Sequence, residues 1–428
     1  MSRPLTSVRL PAVPEEEHNG AGSVNRSVAT VDMRVAFLSH TAMGGSLVVG
    51  SHQLAREFAR EGHDVSHISA PLSIAHLGLL LWEPFIRMRL RRWLAGGESI
   101  GGVLDMVPFT LLPWHAARLS RRLMNSYSRH MLSAPMHGVG ALKLDAADCL
   151  IVDEPRLLGL ANSKRGRLLI YRATDLYALM RSDPSIVEAE RALCSRADLL
   201  IATSEPVAAH LRRISGRNVR VIANGVEIDH FASSSMAASS SEFRLPGRRE
   251  DRAIYAGAFD RRFGREALRA AAEKLPQKQF ILVGPGSQVV AAATARSNVT
   301  ALGAVDYQKL PAVLGQCTVG MLPMSSDISN SGRSPMKLYE YAAAGLTVAA
   351  TSTEELRRCE LATLCLADGH LAFYSAVSDA FARAQVPSMV AAGRAAAQRE
   401  SWEVKAKILL DLMCYANLSL RTQHSHDF

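Results

Sequence analysis

Short continuous apolar runs alternate with stretches of helical periodicity along most of this chain. Runs of this length are typical of strands buried on both faces of a parallel sheet. Leu47–Arg60 has helical spacing between the first two runs, which predicts a βαβ start and a right-handed parallel sheet. The chain is therefore predicted to be α/β. The predicted strands are Val35–Ser39, Asp64–Ser69, Asp148–Asp153, Arg167–Tyr171, Ala197–Thr203, Val219–Ala223, Ala253–Ala258, Gln279–Val283, Val299–Gly303, Thr318–Leu322, Thr347–Ala350 and Leu364–Leu366.

The segment Ile74–Met131 interrupts this alternation with two basic amphipathic stretches. One helix is predicted to begin at Trp82-Glu-Pro84, and its apolar stripe would be Phe85, Ile86, Leu90, Trp93 and Leu94. A second stretch from Trp114 would align Leu119, Leu123, Tyr127 and Met131, and arginines flank both stripes. Such helices suit the plane of an anionic membrane surface. A stripe packed into the core with solvated arginines is the alternative, and the pattern alone leaves both open.

Composition and charge limit the classes of partner that the protein is expected to bind. The formal net charge of +9 over 428 residues indicates an acidic partner such as a nucleotide, a nucleic acid or an anionic lipid. No aromatic-basic RNA motif or zinc-finger spacing is present, so no nucleic-acid partner is predicted. The six cysteines are scattered without a C-x-x-C pair, which favours a reducing compartment. Ser233–Ser241 is rich in Ser and Ala and is predicted to be a mobile linker.

Two places in the first half are candidate substrate-binding positions. Gly44 and Gly45 follow the first predicted strand, where backbone can approach a ligand closely and a helix from Ser46 would supply free amides. Arg172 and Asp175 leave the C-terminal end of a later strand, the edge where open parallel sheets place ligands. Asp175 could act as a general base or instead cap the following helix, and Arg172 could hold an anion or orient Asp175.

The segment Asn330–Gly345 is the candidate nucleotide site. A polar loop leads into a helix whose Met336, Lys337 and Glu340 share one face, and the helix N-terminus with Lys337 suits a diphosphate. A carboxylate at Glu340 can accept two hydroxyls of a ribose. The alternative is a plain helix on a sheet, with Glu340 as the partner of Lys337. Gly257 and Gly284 end the first two strands of this half and are assigned to the same nucleotide site.

The run SPMKLYEYAAAGLTVAAT resembles the donor-site signature of nucleotide-sugar glycosyltransferases with the GT-B fold. MRVAFLSHTAMGGSLVVGSHQLAREFAREGHDV, VIANGVEIDHF, YAGAF and FILVGPGS are similar to further segments of that family, in the same order. The resemblance implies two Rossmann-like parallel-sheet domains facing a cleft, with Lys337 and Glu340 meeting the nucleotide diphosphate and ribose. The implied organisation is a disordered extension (1–32), an acceptor domain (33–226), a linker (227–252), a nucleotide-sugar domain (253–398) and a final helix that crosses back with its tail (399–428).

A narrower resemblance involves LIYRATD, with VDEP before it and SPMKL after it. This set is similar to the membrane-associated glucuronosyltransferases of xanthan assembly, and it implies Asp175 as catalytic base. That family has Gln where this chain has Glu340. The broader retaining family has a Glu eight positions earlier, where this chain has Gly332. Inverting and retaining chemistry both stay open.

The resulting hypothesis is transfer of a sugar, with glucuronate as a candidate, from a UDP-sugar to a polyprenyl-diphosphate-linked glycan at the inner face of the plasma membrane. The enzyme would be cytoplasmic and peripheral to that membrane. No Asp-x-Asp motif stands at a strand end, so no metal and no separate cofactor are expected. A UDP-sugar epimerase of the same fold and a non-catalytic scaffold subunit are the two alternatives.

Overall fold

The computed structural model describes residues 32–45, 48–79, 81–129, 131, 146–162, 168–239 and 241–424, without side chains from 417 onward. The extension predicted for residues 1–32 therefore lies almost wholly outside the described residues. The elements of the first half are β1 (Arg34–Ser39), α1 (Gly50–Arg60), β2 (Asp64–Ser69), β3 (Leu72–Ser73), α2 (Ile74–Leu77), α3 (Pro84–Ala95), β4 (Glu98–Ile100), β5 (Val103–Met106), β6 (Phe109–Thr110), α4 (Trp114–Ala117), α5 (Arg121–Arg129), β7 (Cys149–Val152), α6 (Leu158–Asn162), β8 (Leu168–Ala173), α7 (Tyr177–Met180), α8 (Ile186–Cys194), β9 (Leu199–Ala202), α9 (Glu205–Ser215) and β10 (Arg220–Val221).

Eight of these strands form one sheet in the order β10-β9-β8-β7-β1-β2-β5-β4. All neighbours are parallel except β4 and β5, which pair in antiparallel fashion at the edge. The apolar runs explain the parallel strands, because β1 and β7 are buried on both faces. The antiparallel edge strand and a separate two-stranded pairing of β3 with β6 were not predicted from the sequence.

The second half continues with α10 (Ile228–Ala232), α11 (Ser234–Ser239), β11 (Arg252–Ala256), α12 (Arg265–Lys274), β12 (Gln279–Val283), α13 (Ser287–Thr294), β13 (Val299–Gly303), α14 (Leu310–Leu314), β14 (Val319–Leu322), α15 (Met336–Ala343), β15 (Thr347–Thr351), α16 (Glu354–Arg357), β16 (Leu364–Ala367), α17 (Phe373–Ala384), α18 (Pro387–Arg399) and α19 (Trp402–His424). Its six strands form a wholly parallel sheet in the order β13-β12-β11-β14-β15-β16. The prediction of two parallel-sheet domains is confirmed.

Each sheet reverses its strand order once. In the first sheet the chain moves outward from β1 to β2 and later from β7 to β10 on the other side, so the reversal lies between β1 and β7. In the second sheet it lies between β11 and β14. Crevices outside the carboxyl ends of the strands at such reversals are where open α/β sheets bind ligands.

The predicted mobile linker over Ser233–Ser241 is wrong for its described part. Helix α11 occupies Ser234–Ser239 and packs on α14 of the second domain. Ser234 is fully buried, and the backbone of Gly315 approaches it so closely that a side chain at 315 would collide with the Ser234 carbonyl. The small side chains of this segment allow the close approach. The same Ser- and Ala-rich composition is typical of linkers, which is why the sequence predicts a linker here.

The two amphipathic stretches also differ from their prediction. The helix at Pro84 is confirmed, but Ile86, Leu90 and Trp93 of its apolar stripe pack inside the protein against Phe109 and neighbours. The second stretch breaks between α4 and α5, and the break leaves Leu119 78% exposed. The apolar faces of these helices are therefore mostly core. No described helix is long and apolar enough to cross a membrane.

The last helix, α19, packs on α1 of the first domain. Trp402, Ala406, Leu409 and Met413 join the same apolar cluster as Phe37. The Trp402 amide donates to the carbonyl of Val226, at the point where the chain passes from one domain to the other. The helix that follows the second domain thus closes the hinge between the domains by apolar burial.

We predict that Trp402→Ala lowers the free energy of unfolding by about 3–5 kcal/mol, because it empties a buried site at the hinge. Trp82→Ala is the matched control. Trp82 is 73% exposed, against 3% for Trp402, so its loss should change stability by less than about 0.5 kcal/mol. Urea unfolding followed by circular dichroism measures both. Equal losses in the two variants would contradict this packing.

Candidate functional site

A cavity of about 350 Å³ lies between the two sheets, at the reversal point of each. The first domain contributes residues that follow β1, β7 and β8 and the start of α1, and the second contributes residues that follow β14 together with the start of α15. The lining residues are His40, Val48, Val49, Gly50, Ser51, Asp153, Thr174, Asp175, Tyr177, Met180, Asn224, Tyr255, Arg262, Leu322, Pro323, Met324, Arg333, Ser334, Pro335, Met336 and Lys337.

Two helix N-termini meet at this cavity, one from each domain. Helix α1 begins at Gly50 and helix α15 begins at Met336, and neither has an acidic residue in its first turn or a side-chain cap. Their first amide groups and the positive ends of their dipoles are therefore available to an anion. The predicted start of α1 at residue 46 or 47 lies outside the described residues, and the described helix begins three residues later.

Gly44 and Gly45 do not line the cavity. A side chain at Gly45 would meet the ring of Phe85, and Gly44 lies near Ile100 and Arg92. The loop that holds both glycines is fixed by Arg92, which donates to the carbonyl of Met43 at 2.7 Å. From this part of the chain, Val48 to Ser51 reach the cavity instead. The proposed role of the two glycines in substrate binding stays a prediction.

The second-domain wall is basic. Lys337, Arg333 and Arg262 all line it. Arg262 is held by Asp260, whose carboxylate accepts from the guanidinium at 2.6 Å. Arg333 makes a single long contact of 3.5 Å to Asn330. The Lys337 ammonium group makes no hydrogen bond or ion pair with any described residue. The wall thus carries more positive charge than its own partners neutralise.

Burial and repulsion from neighbouring cations act together on Arg333 and Lys337. Burial is the largest cause lowering the pKa of Arg333, and Arg262 lowers that pKa further. The pKa of Lys337 is lowered for the same reasons, although Glu340 opposes the shift. A doubly negative group placed among the three side chains would relieve this repulsion and recover the electrostatic energy that burial has cost.

The glycines assigned to the nucleotide site lie beneath Lys337. The Lys337 side chain passes over Gly257 so closely that a Cβ there would lie 2.9 Å from Lys337 Cε. Gly284 has a φ of +135° and presses against the Gly257 carbonyl, where any side chain would collide. The two strand ends therefore form a thin backbone floor, and Lys337 can lie flat upon it.

Glu340 is buried one turn after Lys337, and burial raises the pKa of its carboxyl, with Lys337 opposing and Glu227 adding to the shift. Glu227 accepts from Gln53 at 3.1 Å and from the Tyr307 hydroxyl at 3.3 Å. The Glu340 carboxylate forms no hydrogen bond with a described residue. Its two oxygens are thus available to hydroxyl donors, although Glu340 itself is not among the residues that line the cavity.

The first-domain wall is acidic. Asp175 lines the cavity and lies 3.9 Å from Arg262 of the opposite wall. Its carboxylate accepts from the Leu176 amide at 2.8 Å, but helix α7 begins at Tyr177 with Leu176 as its N-cap and no side-chain cap. The alternative that Asp175 caps the helix is therefore wrong. Burial raises the pKa of Asp175, and Arg333 and Arg262 only partly oppose it.

Arg172 is fully buried behind this wall and does not contact Asp175. Its guanidinium donates to Asp153 at 2.6 Å and to Asn224 at 3.2 Å. Asn224 in turn donates to the carbonyl of Ser334, in the loop before α15. Arg172 therefore connects the first-domain wall of the cavity to the loop before α15. No contact with Asp175 supports the prediction that Arg172 orients it.

Sequence reasoning missed His40 and Asp153 as cavity residues. His40 follows β1 and Asp153 follows β7, so they flank the reversal point of the first sheet. Burial lowers the pKa of His40 to about 4, which leaves its ring neutral near pH 7. The available signal was that His40 directly follows a predicted strand and Asp153 is the last residue of another, so both belong to the strand-end edge at which Asp175 was predicted.

Gly332 stands at a contact between the domains. Its carbonyl accepts from Ser204 at 2.8 Å, and a Cβ at this position would lie 2.7 Å from Leu176. Arg261 also crosses to the first domain and donates to the carbonyls of Leu179 and Met180. A longer side chain at 332 has no space in this arrangement. Arg261 is therefore engaged in a contact between the domains.

Metal ligands do not assemble at this site. Across the part of the chain that the structure describes, no three His, Cys, Asp or Glu side chains come together as a possible metal site. The three cations and two helix N-termini are the positive groups that an anionic ligand would meet.

Residues 250–384 match the family model described as "Glycosyl transferases group 1". A putative teichuronic acid biosynthesis glycosyltransferase, TuaH of Bacillus subtilis (strain 168), is 26% identical over 201 residues, which cover 43% of this chain and 50% of that protein. The chain thus spans about half the length of this curated relative. The matched segment includes β11 to α17 and with them Lys337, Arg262 and Arg333.

Solved structures resemble nearly the whole described fold. Sucrose-phosphate synthase (tll1590) from Thermosynechococcus elongatus has a TM-score of 0.68 at 17% identity, covering 91% of this chain and 100% of that one. Anabaena Alr3699/HepE, in complex with UDP and glucose, has a TM-score of 0.62 at 15% identity, covering 90% and 100%. At these identities the likeness concerns the fold, which is GT-B. The family match therefore covers part of the second half of the chain, and the structural likeness concerns the fold of both halves.

We predict that Asp175→Asn raises thermal stability more at about pH 7 than at about pH 4. The pKa of this carboxyl is higher in the folded than in the unfolded protein. Its ionised form therefore disfavours folding. This penalty is absent below the unfolded pKa and is complete above the folded one, and Asn removes it. Thermal unfolding of both proteins at the two pH values gives the comparison. A variant destabilised equally at both pH values would contradict the assignment.

Proposed function

We propose that this protein is a glycosyltransferase that moves a sugar from a nucleoside-diphosphate sugar, of the UDP type, to a hydroxyl group of an acceptor glycan. The observation that carries the proposal is the distribution of charge across one cavity. Lys337, Arg333 and Arg262 face it from the second domain, and Asp175 faces it from the first. Transfer from a diphosphate to a hydroxyl needs a positive site for the leaving group and a proton acceptor on the other side.

The diphosphate would lie at the N-terminus of α15, against Lys337 and Arg262. Both charges of the leaving group are then met by side chains and amides that are already in place before the reaction. Glu340 would accept the ribose hydroxyls. Two solved structures of Anabaena Alr3699/HepE, which has this fold, hold UDP with glucose and UDP-glucose, and this supports a uridine nucleotide as the donor here.

Asp175 would take the proton from the attacking hydroxyl. A general base works best when its pKa approaches the working pH, and burial moves the pKa of Asp175 in that direction. Asp175 lies 3.9 Å from Arg262, so it is close to the basic wall that would hold the leaving group but forms no tight ion pair. This assignment implies direct attack on the anomeric carbon and therefore inverting chemistry.

Arg333 would bind a carboxylate on the donor sugar. Two other arginines near the cleft are already engaged: Arg172 is paired with Asp153, and Arg261 is bound to first-domain carbonyls. Arg333 keeps its guanidinium at the cavity with one long contact. Glucuronate is therefore the sugar that we propose.

The acceptor would be lipid-linked, and the first domain would dock on an anionic membrane at the cytoplasmic face. The docking surface differs from the helix faces predicted from sequence. Strands β3 and β6 are parallel neighbours, so the segments that follow them leave at the same edge. These segments carry exposed apolar side chains: Ile74, Leu77, Leu79, Leu81, Trp82, Leu111 and Leu119. Exposed arginines at 87, 91, 118, 121 and 122 surround them.

The two alternatives make different products. An epimerase would convert the UDP-sugar without any acceptor, and a scaffold subunit would bind at most without turnover. Release of UDP that depends on a prenyl-linked glycan favours the transferase. The charged wall and the buried carboxylate argue against a scaffold, because uncompensated buried charges cost stability and serve no structural purpose.

We predict that Asp175→Asn lowers turnover by about 10²–10⁴-fold while the affinity for UDP stays unchanged. The loss follows because the amide cannot accept the hydroxyl proton. Acceptor-dependent release of UDP gives the rate, and titration calorimetry gives the affinity. Asp260→Asn is a control at the same cleft, since Asp260 holds Arg262 and its loss should weaken UDP binding. Turnover near that of the unmodified enzyme would reject Asp175 as the base.

We predict that Arg333→Met lowers kcat/KM for UDP-glucuronate about 10–100-fold and for UDP-glucose much less, because a charged hydrogen bond is lost only with the anionic sugar. Arg261→Met is the control, and it should affect both donors equally by loosening the contact between the domains. Equal losses for both donors in Arg333→Met would show that Arg333 serves the diphosphate and not the sugar.

We predict that changing Leu81, Trp82 and Leu119 together to Ser releases the protein from vesicles of phosphatidylglycerol and phosphatidylcholine. Leu371→Ser is the matched control, since Leu371 is equally exposed at 78% but belongs to the second domain. Sedimentation with vesicles measures binding. Changing Arg91, Arg118 and Arg122 to Glu tests the charge separately. Unchanged binding in both variants would rule out this surface.

A further inference from the structure

His40 and Asp153 are two polar residues of the cavity lining that neither the diphosphate site nor the proposed base accounts for. Strands β1 and β7 are direct neighbours, with Leu38 opposite Val152 in their register. His40 and Asp153 follow these strands at the same edge, where the strand order of the first sheet reverses. Both residues line the cavity on the acidic wall.

Each of the two side chains has a buried polar atom without a partner. Asp153 is 1% exposed, and Arg172 occupies only its Oδ2 oxygen, so Oδ1 has no hydrogen bond within the described residues. Nδ1 of His40 is likewise buried and unpaired. Buried polar atoms are nearly always hydrogen-bonded in folded proteins. Two such exceptions among the residues that line one cavity therefore point to a ligand that supplies the missing bonds.

The hydrogen-bonding groups of His40 and Asp153 indicate which kind of ligand they can bind. A neutral imidazole offers one donor and one acceptor, and the Asp153 carboxylate oxygen offers an acceptor. Hydroxyl groups can satisfy both. A carboxylate or phosphate would instead face repulsion from Asp175 on the same wall, and the charge of Asp153 is already paired with Arg172. The basic groups of the cleft lie on the opposite wall, where an anion would bind.

We infer that His40 and Asp153 are the subsite for an uncharged sugar ring of the acceptor, and that they hold it by its hydroxyl groups while another hydroxyl faces Asp175. The inference rests on the proposed transfer function and names the acceptor class for it. Arg172 is a positioning residue here, because it fixes Asp153 from behind. The chain of contacts from Asp153 through Arg172 and Asn224 to Ser334 also ties this subsite to the donor loop.

The test uses methyl β-D-glucopyranoside and methyl β-D-glucuronide as probes, which differ in charge and have no lipid tail. Binding of each to the full chain saturated with UDP is measured by saturation-transfer NMR. We expect the neutral glycoside to bind and the anionic one to bind at least about tenfold more weakly. His40→Ala and Asp153→Asn should each weaken binding of the neutral glycoside about tenfold or more. His40→Gln should recover part of it, since the amide again offers a donor and an acceptor.

His370→Ala is the matched control. His370 also has a buried unpaired Nδ1, but it does not line the cavity, so its loss should leave glycoside binding unchanged. The rise in melting temperature on adding UDP is recorded for every variant and should be preserved. If UDP gives no rise in the unmodified protein, the proposed function fails. If UDP binds but the neutral glycoside does not, or binds equally to His40→Ala, only the subsite is refuted. Should Asp153→Asn not fold, His40→Ala decides.

Discussion

The cleft depends on keeping charged side chains of opposite sign apart in a place from which water is largely removed. Lys337 and Arg333 have lowered pKa values and Asp175 has a raised one, and burial is the largest cause in each case. Charges buried without close partners oppose folding. The rest of the chain supplies the compensating stability, through two buried parallel sheets and an α19 helix that packs across the hinge. A ligand carrying the complementary charges would offset this cost when it binds.

The topology explains how separate sequence segments reach one cavity. Each sheet reverses its strand order once, and the loops at each reversal turn away from one another and leave a crevice. The two crevices face each other, and contacts such as Ser204 to Gly332 and Asn224 to Ser334 hold the walls together. The residue that follows a strand is thus placed by the sheet, while its partner across the cleft is placed by the contact between domains.

How much could be predicted from the sequence depends on whether a residue is placed by its strand or by a contact between the domains. Local sequence patterns predict the parallel strands and place Lys337 and Asp175 at the cleft. The structure shows both features. The partner of Arg172, the engagement of Arg261 and the burial of the α3 stripe depend on tertiary contacts that no local pattern encodes. His40 and Asp153 become neighbours only through the pairing of β1 with β7, which joins segments more than a hundred residues apart. The nucleotide-binding role of Glu340 and the roles of Gly44 and Gly45 stay predictions.

The most direct measurement of the central claim compares uridine, UMP and UDP by titration calorimetry, on the unmodified protein and on Lys337→Met. If the basic wall holds a diphosphate, affinity should rise stepwise from uridine to UDP, and the step from UMP to UDP should shrink in Lys337→Met while uridine binding stays the same. Equal affinity for all three ligands, or an unchanged step in the variant, would contradict the account.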